Sequence, residues 1–432
     1  MKILLVNHFP LEGSGSGTYT MNTAQHLAKR GHDVCIVFPE NRVPAPLDGV
    51  SLRPVYFDAA GGQHAPAGDP AVSDAPAGKP TASGSAGGNV GDGSSPTSPL
   101  PFNFPCFTTH PRSLTTFDDL SDSQLERYLG AFTAAVGAAV REFEPDIIHA
   151  QHVWLLANVA AKTGVPTIVT AHGTDMMGYR KWPRFHELAD ETVLLSHSII
   201  AISKDNYEDT VSTIPAAAEK MVLLLNGYNE DVFYREDIDR ASLLEEHHVP
   251  YQGERVVLFA GKLTNFKGVD VLLRAAARYE REHPDVVTLL AGSGEEREML
   301  ERLHAELELS RTYFLGHQLQ DSLRRLYNAA DLFAMPSRRE PFGLVALEAM
   351  ACGLPVVATN QGGLPEFVTQ ECGTLVDVDD AEALARAIVS ELDRTAATPL
   401  RRERIAESVF ERYAQSKFVV RLEALYQQVI SA

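Results

Sequence analysis

The chain has 432 residues, of which 44% are hydrophobic and 22% charged, and its formal net charge is -19. This length predicts two or three domains. The acidic balance argues against a sequence-independent nucleic-acid binder, which relies on clustered cations. The four cysteines form no Cys-x-x-Cys pair, so we expect reduced thiols rather than a disulfide framework or a zinc site.

The apolar run at the start of the chain ends at Asn7, which is too short for a signal peptide or a membrane span. No other run qualifies. The sequence therefore predicts a cytoplasmic protein without an integral membrane segment, which could touch a membrane peripherally.

Short apolar runs rich in β-branched residues alternate with longer amphipathic runs, a pattern typical of βαβ units and parallel sheets. The predicted strands are residues 2–6, 34–38, 147–150, 167–171 and 199–202 in the first half, and 256–260, 286–290, 332–334 and 355–358 in the second. Predicted helices between them include 19–29, 122–143, 269–282, 295–307 and 343–351. The pattern indicates two doubly wound domains, residues 1–228 and 229–412. A final helix at 413–432 is expected to pack back across the first domain.

Residues 59–101 break this pattern because they are nearly all Gly, Ala, Pro, Ser, Asp and Thr. A segment of this composition cannot bury enough apolar surface to offset its ordering entropy. We interpret it as a disordered insertion that serves as a surface linker. A role in regulation or partner binding is the alternative.

The strongest chemical signal lies at residues 340–348, which read Glu-Pro-Phe-Gly-Leu-Val-Ala-Leu-Glu after a predicted strand. Pro341 keeps Glu340 out of a helix, and Gly343 permits close backbone approach where a helix begins. The free amides of that first turn would face a common point, where a phosphate could bind without a cation. Glu348 lies about one turn further into the helix and could accept hydrogen bonds from a ribose diol.

This segment resembles the Glu-x7-Glu motif of the large retaining glycosyltransferase family 4, whose members have the GT-B fold. The resemblance covers nearly the whole chain outside the insertion. It implies an α/β protein with two Rossmann-like, doubly wound parallel-sheet domains that face a central cleft. It also implies that Glu340 approaches the donor sugar and that Glu348 holds the nucleotide ribose. The remaining donor contacts are expected at Phe342, Gly343 and Leu344.

A second family feature is the segment Gly-Lys-Leu-Thr-Asn-Phe-Lys-Gly at residues 261–268. The family usually has Arg and then Lys at the positions of Lys262 and Lys267, and Lys262 keeps the charge but loses the bidentate geometry of Arg. Two cations at the carboxyl end of a strand can neutralise a departing diphosphate. By resemblance, the backbone around Gly316 and His317 contacts the nucleobase.

The first half contributes a glycine-rich loop at residues 13–17 and the segment Ala-His-Gly-Thr-Asp at 171–175. The loop fails as a dinucleotide fingerprint because residue 18 is Thr. By resemblance, Gly15 or Gly17 approaches the donor phosphates and His172 meets a hydroxyl of the donor sugar. The residues expected to line the acceptor pocket are His149, His152, Trp154, Thr174 and Asp175.

Two Asp-x-Asp patterns, Asp237-Ile-Asp239 and Asp377-Val-Asp379, invite the reading of a metal site. Both precede helical runs, and we interpret them as helix caps. The Gly pair at 362–363 is interpreted as a turn requirement. The sequence thus predicts no metal and no cofactor beyond a nucleotide sugar that acts as co-substrate.

The resemblance implies retaining transfer of a sugar from a UDP- or GDP-sugar to an acceptor hydroxyl. No carboxylate is obviously placed as a nucleophile. The resemblance implies a front-face route, in which the leaving phosphate, held by Lys262, Lys267 and helix-terminal amides, also takes the acceptor proton. The acceptor could be a polysaccharide, a lipid-linked glycan or a small metabolite. Two alternatives stay open: a nucleotide-sugar 2-epimerase of the same fold, and a non-catalytic relative that binds sugar nucleotides.

Overall fold

The computed structural model describes residues 1–58, 99–107, 110, 112–398 and 400–432. Most of the predicted insertion, residues 59–98, lies outside them. The strands of the first sheet are β1 (Lys2–Val6), β2 (Asp33–Glu40), β3 (Val50–Tyr56), β4 (Ile147–Gln151), β5 (Thr167–Ala171), β6 (Ser198–Ala201) and β7 (Met221–Leu223). The second sheet contains β8 (Arg255–Ala260), β9 (Val286–Ala291), β10 (Thr312–Gly316), β11 (Leu332–Met335), β12 (Val356–Thr359) and β13 (Gly373–Val376).

The helices lie mainly between the strands and cover both faces of each sheet. In the first half they are α1 (Gly15–Lys29), α2 (Asp122–Phe143), α3 (Leu156–Ala161), α4 (Thr174–Lys181), α5 (His186–Leu195) and α6 (Lys204–Thr213). The second half has α7 (Arg240–Glu246), α8 (Val269–Glu282), α9 (Arg297–Glu306), α10 (Gln320–Ala329), α11 (Leu344–Ala351), α12 (Ala381–Ala397), α13 (Arg401–Tyr413) and α14 (Gln415–Ile430). In the described part of the chain, no helix is both long and apolar enough to cross a membrane.

The strand order is β3-β2-β1-β4-β5-β6-β7 in the first sheet and β10-β9-β8-β11-β12-β13 in the second, and all named pairings are parallel. In each sheet the order reverses beside its first strand, which is the doubly wound arrangement. The prediction of two doubly wound α/β domains is confirmed.

The four strands that the sequence pattern failed to predict are the four sheet edges, β3, β7, β10 and β13. Residues of β3 are only partly buried, and this strand contains Arg53 and Pro54. Four of the five residues of β10 are also partly buried. An edge strand has fewer buried neighbours, so its sequence lacks the continuous apolar run that identifies a central strand.

The first sheet is buried on both faces, as its apolar central strands require. Leu4 and Val6 point into one cluster with α2 and α3, whereas Ile3 and Leu5 point into another. Because side chains alternate along a strand, a continuous apolar β1 supplies both cores.

Helix α14 completes the second of these cores although it follows the second domain in sequence. Phe418, Leu422 and Tyr426 are fully buried in the same cluster as Ile3 and Leu5. The chain returns to the first domain where Tyr228 donates its amide to Tyr413 O (2.9 Å) and accepts from the Gln415 amide (2.9 Å). The first domain therefore contains a helix from the far end of the chain.

The start of α2 illustrates how local sequence sets a boundary. The Ser121 side chain accepts from the Gln124 amide, and the Gln124 side chain in turn accepts from the Ser121 amide. This capping box satisfies two donors that would otherwise lack intrahelical acceptors. The helix ends at Glu144, which is in the left-handed conformation.

Candidate active site

The residues expected at the donor and acceptor sites follow the carboxyl ends of strands in both domains. Gly15 comes after β1, His172 after β5, Lys262 after β8, His317 after β10 and Glu340 after β11. Ligands of open α/β sheets bind at this edge. The topology thus places these residues at the same edge of their respective sheets.

The structure brings Lys267 and Glu340 together in an ion pair. Lys267 Nζ lies 2.5 Å from Glu340 Oε2, and only 7% of Glu340 is exposed. The pair joins the loop after β8 to the loop after β11. A buried carboxylate with one ammonium partner keeps capacity for further hydrogen bonds, because it has about four lone-pair sites.

The backbone of Glu340 is fixed by the Gly pair at 362–363. The Gly363 amide donates to Glu340 O (3.2 Å), and Gly362 has a φ of 56°. A Cβ at Gly362 would lie 1.7 Å from Glu340 O, closer than any real contact. Its structural role is confirmed, since a larger residue would displace the Glu340 loop.

Gly343 begins α11 with a φ of 107°, a conformation that favours glycine. No side chain caps this helix, and its first amides lack intrahelical acceptors. Phe342 is buried against Phe367, with 5.5 Å between ring centroids, so it anchors the loop from behind. Leu344 is half-buried at the first helical position.

Glu348 lies one turn into α11 and is half-buried. No hydrogen-bond or ion-pair partner of its carboxylate occurs among the residues that the structure describes. Burial raises the pKa of this carboxyl to about 8. Burial raises the pKa of Tyr327, and the ionised form of Glu348 raises it further. The Tyr327 hydroxyl also has no partner in the described part of the chain. Two unsatisfied polar groups therefore lie together beside the start of α11.

Lys262 lies between the two domains. Its ammonium is 3.5 Å from Glu295 Oε2, and its charge lowers the pKa of Cys106 and His110 in the first domain, although burial dominates the pKa of both. His317 is exposed, and Gly316 O accepts from the Gly292 amide (2.7 Å). The exposed His317 is accessible to a ligand.

His172 follows β5 and is held by two neighbours. Its Nε2 is 2.9 Å from Gln151 Oε1, and its amide donates to Asp175 Oδ1 (3.2 Å). Burial lowers the pKa of His172 to about 3, so the ring is neutral near pH 7. The sequence did not single out Gln151. Its only signal is a polar residue at the end of an apolar strand.

The first domain contacts the Glu340 loop directly at this edge. Ser203 Oγ donates to Pro341 O (2.7 Å). A Cβ at Gly173 would lie 3.2 Å from Pro341 Cγ. The loop that carries His172 therefore lies close to the loop that carries Glu340, since a side chain at position 173 would contact Pro341.

Two regions of the chain match models of known glycosyltransferase families. Residues 243–409 match "Glycosyl transferases group 1", and residues 107–232 match "Glycosyltransferase Family 4". A D-inositol 3-phosphate glycosyltransferase of Corynebacterium jeikeium is 33% identical over 304 residues, which cover 64% of this chain and 72% of that protein. The chain belongs to the family 4-like glycosyltransferases.

This glycosyltransferase is also similar to a second relative over part of its length and to solved structures over nearly their whole length. A glycogen synthase of Mycobacterium tuberculosis (strain H37Rv) is 32% identical over 60% of this chain, and the match spans 63% of the synthase. Sucrose-phosphate synthase from Thermosynechococcus elongatus superposes with a TM-score of 0.71 and 22% identity, with full coverage of both chains. Anabaena HepE in complex with UDP and glucose superposes with a TM-score of 0.68 and 19% identity over 99% of each chain. These structures confirm the GT-B fold.

Several residues expected to contact ligands are core residues of this glycosyltransferase. Trp154 and Asp175 have no exposed surface, so the structure does not support a direct acceptor contact for either. Trp154 packs among Phe107 and Phe185 at centroid distances of 4.7 Å. Asp175 accepts from the amides of Val153 (3.0 Å) and His172, which makes it an anchor for both loops.

The two histidines of the β4 segment are also enclosed. His149 is fully buried between Tyr426 Oη and Thr170 Oγ1, each at 2.7 Å. His152 is 1% exposed, and its ring lies 4.8 Å from that of His172. A direct acceptor contact is thus not supported for His149 or His152. Thr174 is half-buried at the start of α4, and its role stays a prediction.

The two candidate glycines of the glycine-rich loop differ in burial, since Gly15 is exposed and Gly17 is buried. Gly15 is exposed with open space where a side chain would point. Gly17 is buried, its amide donates to Ser14 Oγ, and a Cβ there would lie 2.2 Å from Pro10 O. A donor contact at Gly17 is not supported, because packing explains this glycine. Gly15 stays the candidate.

One aspartate of each Asp-x-Asp pattern is engaged by a contact in the structure. Asp239 caps α7 by accepting from the Ser242 amide, as expected. Asp379 does not cap α12. It pairs with Arg338 (2.6 Å), and the next residue, Asp380, is the cap. Within the described ranges, no group of three or more His, Cys, Asp or Glu side chains could hold a metal ion.

Proposed function

We propose that this glycosyltransferase moves a sugar from a UDP- or GDP-sugar to an acceptor hydroxyl with retention of anomeric configuration. The observation that carries the proposal is one constellation in the second domain. It follows the chain from Glu340, which pairs with Lys267 of the loop after β8, through the uncapped start of α11 to the unpartnered Glu348. Each part suits a different portion of a nucleotide sugar.

The uncapped amides of α11, together with Lys262 and Lys267, would bind the diphosphate. A helix N-terminus attracts anions, and preorganised cations stabilise charge that develops on a leaving group. Glu348 lies further along the helix, where it would accept hydrogen bonds from the ribose diol. An unpartnered carboxylate in a desolvated position gains most from such donors.

Glu340 would receive hydroxyl groups of the donor sugar on the side of its carboxylate that Lys267 does not occupy. Neutral His172 would contact the same sugar from the first domain. The bond between the anomeric carbon and the phosphate oxygen breaks, and the acceptor oxygen bonds to the same face of that carbon. The acceptor proton passes to the departing phosphate, so no side-chain nucleophile is needed. No cofactor enters the proposal.

The names of relatives guide the choice of substrates for a first test. A relative is named for D-inositol 3-phosphate and another for glycogen, and a structural neighbour was crystallised with UDP and glucose. Inositol 3-phosphate and an α-glucan are therefore the first acceptors to try. Polysaccharides and lipid-linked glycans follow.

The test incubates the protein with UDP-, GDP- and ADP-sugars, each with and without acceptors. We expect one donor to release nucleotide only with an acceptor, and NMR of the glycoside to show the anomeric configuration of the donor. An inverted product would refute retention. Nucleotide release with isomerised sugar and no acceptor would identify an epimerase. Binding without turnover for any pair would identify a non-catalytic relative.

A further inference from the structure

The amino end of α6 makes contacts across the domain boundary to both segments that hold Glu340. Ser203, the N-cap residue of this helix, is fully buried. Its hydroxyl accepts from the Asn206 amide (3.0 Å) and donates to Pro341 O (2.7 Å). A hydroxyl has one donor and two acceptor sites, so both bonds form at once.

The next residue makes a second contact to the second domain. The Lys204 amide donates to Glu366 Oε1 (2.5 Å), so a carboxylate of the second domain lies at the positive end of α6. Glu366 belongs to the segment that follows the Gly pair, and the Gly363 amide donates to Glu340 O. Partial burial and nearby Asp205 raise the pKa of Glu366, whereas the Lys204 amide opposes the rise.

The two contacts restrain the Glu340 loop at two consecutive carbonyl groups, one directly and one through the Gly pair. Pro341 O is held from the first domain, and Glu340 O is held by the Gly pair, whose segment Glu366 ties to the same helix. A third contact, between Arg339 and Asp209 of α6 (3.8 Å), lies one residue before Glu340. Opening the domains would release the Pro341 and Lys204 bonds together.

We propose that Ser203 is a positioning residue for Glu340, and that it forms with Lys204, Pro341 and Glu366 an interdomain clamp. This inference rests on the proposed role of Glu340 at the donor sugar. Closure of the two domains then orients the Glu340 loop at the same time as it brings His172 toward the sugar. Nucleotide binding should depend little on the clamp, because the proposed ribose contact and most of the proposed diphosphate contacts belong to the second domain, and the first contributes only Gly15.

The first experiment separates positioning from binding. Ser203→Ala removes the donor to Pro341 O and is expected to lower kcat by about 10- to 100-fold, the scale of a misplaced catalytic group. The affinity for the bare nucleoside diphosphate should stay within about twofold. Ser203→Thr keeps the hydroxyl and should restore most of kcat. Glu366→Ala, which breaks the other contact, should lower kcat in the same direction.

Ser121→Ala is the matched control. It also deletes a serine N-cap, on α2, and should lower Tm without changing kcat at a temperature where the variant is folded. If Ser203→Ala and Glu366→Ala keep full kcat while Glu340→Gln loses it, the clamp does not position Glu340. An equal loss of kcat in Ser121→Ala would attribute the effect to stability alone.

A second readout does not depend on turnover. Labels at Glu187→Cys on α5 and Arg302→Cys on α9 report the interdomain distance, because both sites are exposed and the four native cysteines are buried. Ser203→Ala should shift the distance distribution toward longer values. An unchanged distribution would overturn the clamp. A chain that transfers no sugar but shows the shift would refute the proposed function and leave the clamp standing.

Discussion

At the scale of single residues, the proposed ribose contact of Glu348 would make ligand binding a proton-linked event. Its carboxyl is protonated at neutral pH in the free protein because burial raises its pKa to about 8. Ribose hydroxyls that donate to the carboxylate favour the ionised form and lower this pKa. Binding should therefore release a proton, and affinity should rise with pH up to the pKa of the free protein.

We expect calorimetry in buffers of different ionisation enthalpy to detect this release between about pH 7 and about pH 8, a range just below the raised pKa. Glu348→Gln is the control, because it retains any proton exchange of the diphosphate itself. Identical proton release by both proteins would contradict a ribose contact at Glu348.

The same shift carries a stability prediction. The folded state holds a proton that the unfolded state loses above its ordinary pKa of 4.5, so this carboxyl makes the ligand-free protein less stable as pH rises toward about 8. Glu348→Gln should raise Tm, and the increase should be larger at about pH 8.5 than at about pH 5. An increase that does not depend on pH would point to a packing effect.

The two glutamates are expected to fail in different ways. Glu348→Ala removes a contact present in the ground state and should weaken binding of the bare nucleoside diphosphate by an order of magnitude or more, since charge-assisted bonds contribute about 1.5–3 kcal/mol. Glu340→Gln should leave that affinity nearly unchanged while turnover of the full donor falls. Calorimetry paired with steady-state rates measures both. Equal losses of nucleotide affinity would refute the division of roles.

At the scale of elements, α14 packs against the first domain although it follows the second domain in the sequence. Phe418 is fully buried against Tyr19, with 5.7 Å between ring centroids. Phe418→Ala should lower the free energy of unfolding by about 3–5 kcal/mol, the range for large aromatic truncations in a core. Denaturant unfolding followed by circular dichroism measures the loss.

Phe410→Ala on the neighbouring α13 is the control, because Phe410 is 45% exposed. Its cost should stay below about 0.5 kcal/mol, as for most surface substitutions. Similar costs for the two variants would mean that α14 does not complete the first core.

The central strands and long helices could be predicted from the sequence because burial on both faces leaves a continuous apolar run. The predicted helices 122–143 and 269–282 coincide with α2 and α8. The edge strands could not be predicted, because their partly exposed residues do not form a continuous apolar run. Ser203 and Glu366 were missed for another reason: their partners lie about 140 and 160 residues away along the chain, and no local pattern encodes such contacts.

The candidate site also has a part that the sequence predicts well and a part that it does not. Residues around the 340–348 motif could be named because consecutive positions lie together in space. The first-domain residues were harder, because Trp154, Asp175 and Gly17 are constrained by packing that only the assembled fold reveals. A polar or aromatic residue at a strand end predicts proximity to the site and does not predict exposure.

At the scale of the whole molecule, catalysis is expected to need no metal. Asp239 caps a helix and Asp379 pairs with Arg338, and in the proposed function Lys262 and Lys267 neutralise the diphosphate in place of a metal. Transfer should therefore survive excess EDTA. A loss of activity that manganese or magnesium restores would contradict this prediction.

The insertion is expected to be dispensable for folding and donor binding. The residues that precede the insertion are hydrogen-bonded to those that follow it. The Asp58 amide donates to Leu100 O (2.9 Å), and the Leu100 amide donates to Tyr56 O (2.9 Å). Deletion of residues 61–98 therefore joins ends that are already close. Thermal unfolding and nucleotide titration should match the full chain. A tenfold loss of donor affinity, or aggregation of the deletion variant, would assign the segment a larger role.

The position of α14 also has a consequence for synthesis on the ribosome. The sheet of the first domain has been translated once β7 is complete, but α14 starts about 190 residues later. At about 5–20 residues per second, its apolar site on the nascent domain stays uncovered for about 10 to 40 s. During that interval a chaperone that holds apolar surface competes with aggregation. The yield of folded protein is therefore expected to depend on translation speed through the second domain.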